Sequence, residues 1–118
     1  MIKMMLLLTR KQGLSFDQFR DYYENHHVPL ACSFPTPLVH YRRNYITGLT
    51  LGPCAYDCIT EVWYDLDGNW SDHRDRVVSA DMAKIIATDE ANFLDRAATR
   101  IVIVDATECP PDQLPSRS

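Results

Sequence analysis

At 118 residues, 46% hydrophobic and 24% charged, the chain has room for one compact domain with one core. A formal charge of -4 and a pI near 5.4 count against a nucleic-acid binder, which concentrates lysine and arginine to neutralise phosphates. The same balance counts against docking on an anionic membrane surface. Cys32, Cys54, Cys58 and Cys109 are too few and too irregular for a disulfide framework, so reduced thiols and a cytoplasmic location are expected.

The chain opens with an apolar run, Ile2 to Thr9, broken by one charge at Lys3. The run is too short for the apolar region of a secretory signal, and it fits a central strand covered on both faces. Arg10 to Gly13 turns the chain. Ser15-Phe16-Asp17-Gln18 fits a capping box with Leu14 and Phe19 at the staple positions, so a helix starts near Ser15. Its seam of Phe16, Phe19, Tyr23, His26 or His27 and Leu30 steps by three or four residues. Pro29 is expected to end it. The paired histidines would then lie in the last turn, where the helix dipole favours protonated imidazole by about 0.3–1 kcal/mol.

A second strand is expected within His40–Leu51 and a third over Ala55–Tyr64. On the third, Asp57, Ile59, Glu61 and Trp63 alternate with Tyr56, Cys58, Thr60, Val62 and Tyr64, and large groups stand on both sides. After a turn at Asp67-Gly68-Asn69, apolar residues from Trp70 to Leu94 recur at helical intervals, with a break expected near Ser79-Ala80-Asp81. Arg100–Ala106 supplies a fourth strand. Residues 1–108 form the expected domain, and Cys109–Ser118, with three prolines, a tail.

The order βαββαβ gives an α+β, ferredoxin-like fold: a four-stranded antiparallel sheet with two helices on one face. The other face is apolar enough to need covering, and a second copy of the chain would cover it, which points to a homodimer. An RNA-recognition module shares this order but carries a basic, glycine-containing aromatic signature on its third strand. Here acidic residues stand in that place, so no nucleic-acid partner is expected.

Four stretches, RKQGLSFDQFRDYYENHHVPL, HYRRNY, YDCITEVWYD and DEANFLDRAATRIVIV, together resemble the EthD family of dimeric α+β barrel proteins, over nearly the whole chain up to about Glu108. The resemblance implies a ferredoxin-like dimer whose sheets pack into a barrel, with a small-molecule pocket between sheet and helices. Relatives of that superfamily include lactone isomerases, polyketide cyclases and dehydratases, and cofactor-independent oxygenases of aromatic compounds; the founding EthD has an accessory part in ether breakdown. The family pattern falls on His27, Pro29 and Leu30, on Asp57, Glu61 and Trp63, and on Asp89, Glu90, Asn92 and Phe93. Cys54 and Cys58 lie outside it.

His27 shares the seam of Tyr23 and Phe19 and can face the sheet. Titrating ordinarily near pH ~6.5, it suits a general acid/base; a histidine that merely packs and bonds a carbonyl would look the same. Glu61 or Asp57 would orient it if they face the helices. If they do not, Glu61 pairs with Arg42, Arg43 or Arg100, because a one-residue slip reverses the face. Tyr23 is the expected hydrogen-bond donor to a ligand. Tyr22, Tyr41, Trp63 and Phe93 are expected to line the pocket, or else to be ordinary core aromatics, with Asn44 polarising a carbonyl and His26 beside it on the solvent side.

Glu24-Asn25-His26-His27 has the Glu-x-x-His spacing of di-iron sites but lacks the second copy such sites need, so no metal is expected. No glycine-rich phosphate loop or Gly-x-Ser-x-Gly elbow occurs, so no cofactor is expected either. The function expected is cofactor-free acid/base chemistry, such as dehydration, decarboxylation, isomerisation or cyclisation, on an aromatic, polyketide-like or lactone substrate. A cofactor-independent oxygenase and a non-catalytic ligand-binding accessory protein are the alternatives.

Overall fold

In the computed structural model, which describes residues 1–116, four strands form one antiparallel sheet of order β2-β3-β1-β4. They are β1 (Ile2–Leu8), β2 (Leu38–Tyr45), β3 (Cys58–Tyr64) and β4 (Arg100–Val104). The fold is ferredoxin-like, as the element order implies. The last two residues of the expected tail, 117 and 118, lie outside the described residues; earlier in it, Pro111–Gln113 forms one 3-10 turn.

Helix α1 (Phe16–Tyr22) begins where its capping box requires: Ser15 Oγ accepts from Gln18 N–H and Gln18 Oε1 accepts from Ser15 N–H. Its end differs from expectation. A π-helical turn, Tyr23–His27, leads into α2 (Val28–Ser33), so the helical path passes through Pro29. Val28 N–H bonds Tyr23 C=O, five residues back. The widened turn frees the chain from the tight α-helical spacing at the point where the proline has no N–H to give. The negative end of the helical path therefore lies past Ser33, and the paired histidines do not feel it as a terminal turn would.

The second helical stretch breaks where the sequence places it. Helix α3 (Trp70–Val77) stops, and α4 (Ala80–Glu90) starts on Ser79, whose Oγ accepts from Met82 N–H. Strand β2 is shorter than the His40–Leu51 expected: past Tyr45 one further bond, Ile46 N–H to Asp57 C=O, closes the pair, and a glycine-containing loop follows, with Gly52 at φ +79°.

Register decides which side chains meet the helices. Ile2, Met4, Leu6 and Leu8 stand opposite Tyr64, Val62, Thr60 and Cys58, and this row faces the helices. Leu8, Cys58 and Thr60 are buried there under Phe19, Tyr23 and Phe93. Each large apolar side chain buried in this way contributes about 1.5–3 kcal/mol. Small Cys58 and Thr60 fit beneath large Phe19 and Tyr23, a complementarity that fixes the parity of β3. Asp57, Ile59, Glu61 and Trp63 consequently fall on the face that no helix covers.

Candidate functional site

The π-helical turn carries both Tyr23 and His27 into the protein, at 1% and 7% exposed. The two rings meet edge to face with centroids 5.7 Å apart, and Phe93 packs on the imidazole at 4.8 Å. His27 Nδ1 lies 2.8 Å from Asp89 Oδ2. A carboxylate only accepts, so Nδ1 carries the proton of the neutral ring and Nε2 keeps the lone pair. Tyr22 O–H donates to the other oxygen, Asp89 Oδ1, at 2.6 Å, and receives Asn92 Nδ2–H at 3.0 Å. Burial raises the Asp89 carboxyl, but the bonds from Tyr22 and His27 outweigh it and hold the group below its ordinary value.

Next to Asp89, Glu90 responds in the opposite direction. Burial pushes its carboxyl up, against smaller opposing pulls from His27 and from Arg96, whose Nε is 3.7 Å from Glu90 Oε1. Glu90 lines a cavity of about 240 Å3 between the sheet and α2 and α4, walled also by Leu6, Ala31, Tyr41, Val62 and Met82. Neither His27 nor Asp89 lines this cavity, whereas Ala31, one turn along the helical path, does; Asp89 opens instead on a separate surface pocket with Leu30, Thr88 and Asn92. The surroundings of these two neighbouring carboxyls thus drive them in opposite directions.

The expected residues divide between two places. Tyr41 reaches the cavity, and its O–H donates to Tyr23 O at 3.2 Å. Tyr23 itself is closed into the core, paired with Thr60 Oγ1 at 2.8 Å, so it is Tyr41 that presents a phenol to the cavity. Tyr22 and Phe93 pack against the dyad, and exposed His26 stacks on Tyr22 at 4.8 Å. Glu61, Asp57, Trp63 and Asn44 are elsewhere. Glu61 faces away from the helices and accepts from Asn44 Nδ2 at 2.9 Å, with Arg42 at 3.9 Å. Asp57 accepts from Arg10 N–H at 2.8 Å. Trp63 lies on the same face between His40, stacked at 4.0 Å, and Lys3 Nζ at 4.2 Å. Neither carboxylate pairs with His27, because the parity of β3 puts the sheet between them.

Asp89 stands against His27 where Glu61 or Asp57 was expected. The resemblance already fell on Asp89 and Glu90, and a second signal was available: both acids close α4 at the end where the helix dipole disfavours negative charge, and such a placement asks for a compensating partner. Glu24, the acid of the Glu-x-x-His pattern, is held by Arg43 at 2.8 and 2.9 Å and by the Tyr45 hydroxyl. Among the described residues no group of three or more His, Cys, Asp or Glu side chains gathers to hold a metal ion. Burial pushes the Cys58 thiol up to about 11, which leaves it protonated at neutral pH.

The EthD domain model matches residues 11–97. The chain belongs to the EthD family. The EthD match spans His27, Tyr41, Asp89 and Glu90 and leaves the first and last strands, β1 and β4, outside it. An EthD family protein of Bacillus halodurans is similar in structure, with a TM-score of 0.66 at 20% identity, covering 91% of this chain and all of that one. A protein of Arabidopsis thaliana is also similar, with a TM-score of 0.59 at 14% identity, covering 93% of this chain and 99% of that one. At such identities the likeness establishes the fold alone. No curated protein matches the chain. Among the described residues no helix is long and apolar enough to cross a membrane.

Proposed function

We propose that this EthD protein is a small-molecule enzyme performing cofactor-free acid/base chemistry, such as a dehydration, decarboxylation, isomerisation or cyclisation. The observation that carries this reading is the His27–Asp89 pair, 2.8 Å apart and almost out of water, with Glu90, the residue after Asp89, presenting a carboxyl to a cavity. His27 is the general base, its tautomer set by Asp89 in the orienting role first sought in Glu61 or Asp57. Glu90 is the acid that meets the ligand. Tyr41 orients the ligand through its hydroxyl, while Tyr23 fixes Tyr41. Incubating the protein with lactones and phenolic ketones and following loss of substrate tests the reading. Turnover that disappears in His27→Ala, with the fold intact by circular dichroism, supports it; full turnover in that variant sinks it.

One observation favours a second reading, a ligand-binding accessory protein: the His27 ring is not part of the cavity wall. Ligand recovered unchanged after long incubation would decide for it. In either case we propose a homodimer through the helix-free face, where Met5 stands between Val102 and Glu61, with Leu7 beside Ile59 and Lys3 beside Trp63. A monomer at micromolar concentration in sedimentation equilibrium would remove the dimer.

A further inference from the structure

Resting on the acid/base reading above, we propose that the cavity takes an uncharged, largely apolar compound of one or two rings, and that Glu90 meets its single oxygen or nitrogen atom. Size comes first. A volume of about 240 Å3 exceeds the roughly 150 Å3 that holds a benzene ring and falls below the range of about 300–1,000 Å3 typical of sites for larger ligands. The walls are mostly apolar side chains such as Met4, Leu6, Phe34, Val62, Met82 and Ile86, which suits a ring, and the polar atoms besides Glu90 are the uncharged ones of Thr36, Tyr41, Tyr64 and Trp70.

Charge narrows the class further. Among the described residues lining the cavity there is no lysine, arginine or histidine, and Glu90 is its one carboxyl. A ligand carboxylate or phosphate would lie beside Glu90 with no cation in the wall to pair it, a like-charge contact in a water-poor space. A ligand ammonium would also fare badly, because Arg96 already stands 3.7 Å from Glu90 Oε1 and the ammonium would lose its water for a shared partner. The hydroxyl of Tyr41 is donated to Tyr23, so it offers the ligand only acceptor capacity. The Glu90 carboxyl makes no hydrogen bond among the described residues, so its oxygens are free to accept from a ligand hydroxyl or N–H.

Three ring-matched probes test this by calorimetry at about pH 7: 1-naphthol, 1-naphthoate and 1-naphthylmethylammonium. We expect 1-naphthol to bind roughly tenfold or more tightly than either ion, the effect of one unpaired buried charge being at least that large. Glu90→Gln keeps the shape and an acceptor oxygen but removes the negative charge, so it should leave 1-naphthol within about threefold while improving 1-naphthoate severalfold. Met82→Trp fills the cavity and should abolish binding of all three. The proposal is overturned if either ion equals 1-naphthol, if Glu90→Gln leaves the discrimination as it was, if Met82→Trp binds normally, or if no probe binds. Because these measurements follow binding and not turnover, an active His27→Ala protein would sink the acid/base reading while leaving the charge discrimination intact.

Discussion

On the helix-covered face of the sheet, His27 and Asp89 meet at 2.8 Å with 8% and 17% of their side chains exposed; on the opposite face, Glu61 meets Asn44 and Arg42 with Arg42 64% exposed. Both places hold carboxylates, aromatic rings and a histidine, His40 being the one on the helix-free face. Water makes the difference between them. Charge interactions on the uncovered face are screened and each is worth about 0–1 kcal/mol. Under the helices the same groups fix one another's protonation, because little solvent competes for their hydrogen bonds. The ordered His27–Asp89 pair therefore stands on the covered face, although the residue types alone suit either.

The comparison breaks most visibly in turnover. With any substrate the protein converts, His27→Ala should lower kcat by about 10²–10⁴-fold, the usual contribution of a positioned general base. Glu61→Gln should change it by less than about twofold, since its partners are exposed. A large loss in Glu61→Gln would return the orienting role to the other face.

Stability should divide in the same way. Phe93 is fully buried against Phe19, Tyr22, Tyr23 and His27, and Phe93→Ala should cost about 3–5 kcal/mol in urea unfolding. Trp63→Ala on the uncovered face removes the Lys3 contact, worth about 0.5–1 kcal/mol, and the stack with His40. Its larger effect should fall on self-association, seen as a concentration-dependent midpoint. Equal losses for the two variants in the monomer would mean that both faces are covered within one chain.

Asp89→Asn should cost about 1.5–3 kcal/mol at neutral pH, because an amide offers one acceptor where two donors, Tyr22 and His27, need two. The sign with pH follows from the direction of the shift. The Asp89 carboxyl is held low in the fold, so its contribution is full above the unfolded value near ~3.9 and is lost as pH falls through the lower folded value. Wild type and Asp89→Asn should converge in strongly acidic solution. A gap between their melting curves that widens on acidification would reverse the assignment.

Much of this was readable from residue order, and the unread part has definite physical causes. The capping box at Ser15, the break at Ser79 and the inward seam of Phe19, Tyr23 and His27 are local patterns, and local patterns survive folding. The partner of His27 is not local. It depends on how the end of α4 docks sixty-odd residues away, at |i−j| = 62. The parity of β3 was undecided because both of its sides carry large groups; what settles it is the small pair Cys58 and Thr60 lying under Phe19 and Tyr23, a fit between elements that no single strand displays. Pro29 read as a stop because a helix interior cannot hold it, whereas here it sits in the first turn of α2, directly after the π-helical turn.

The smallest expected effect is the one that separates Glu90 from its neighbour. The Glu90 carboxyl, with 20% of its side chain exposed, is pushed up by burial, so the folded protein binds its proton more tightly than the unfolded chain does. Wild type then loses stability as pH rises from the unfolded value near ~4.3 through the folded one, and the penalty is complete above it. Glu90→Gln carries no such penalty. It should melt about 2–4 °C above wild type at pH 8 and level with it near pH 4, the reverse of the pH dependence of Asp89→Asn. Residues 89 and 90 are adjacent in sequence and share a helix end, so opposite pH slopes for them would have to come from their surroundings: two donors in one case, an apolar wall in the other. If the two variants instead shift in the same direction with pH, the cavity does not desolvate Glu90, and the site holds two ordinary carboxylates.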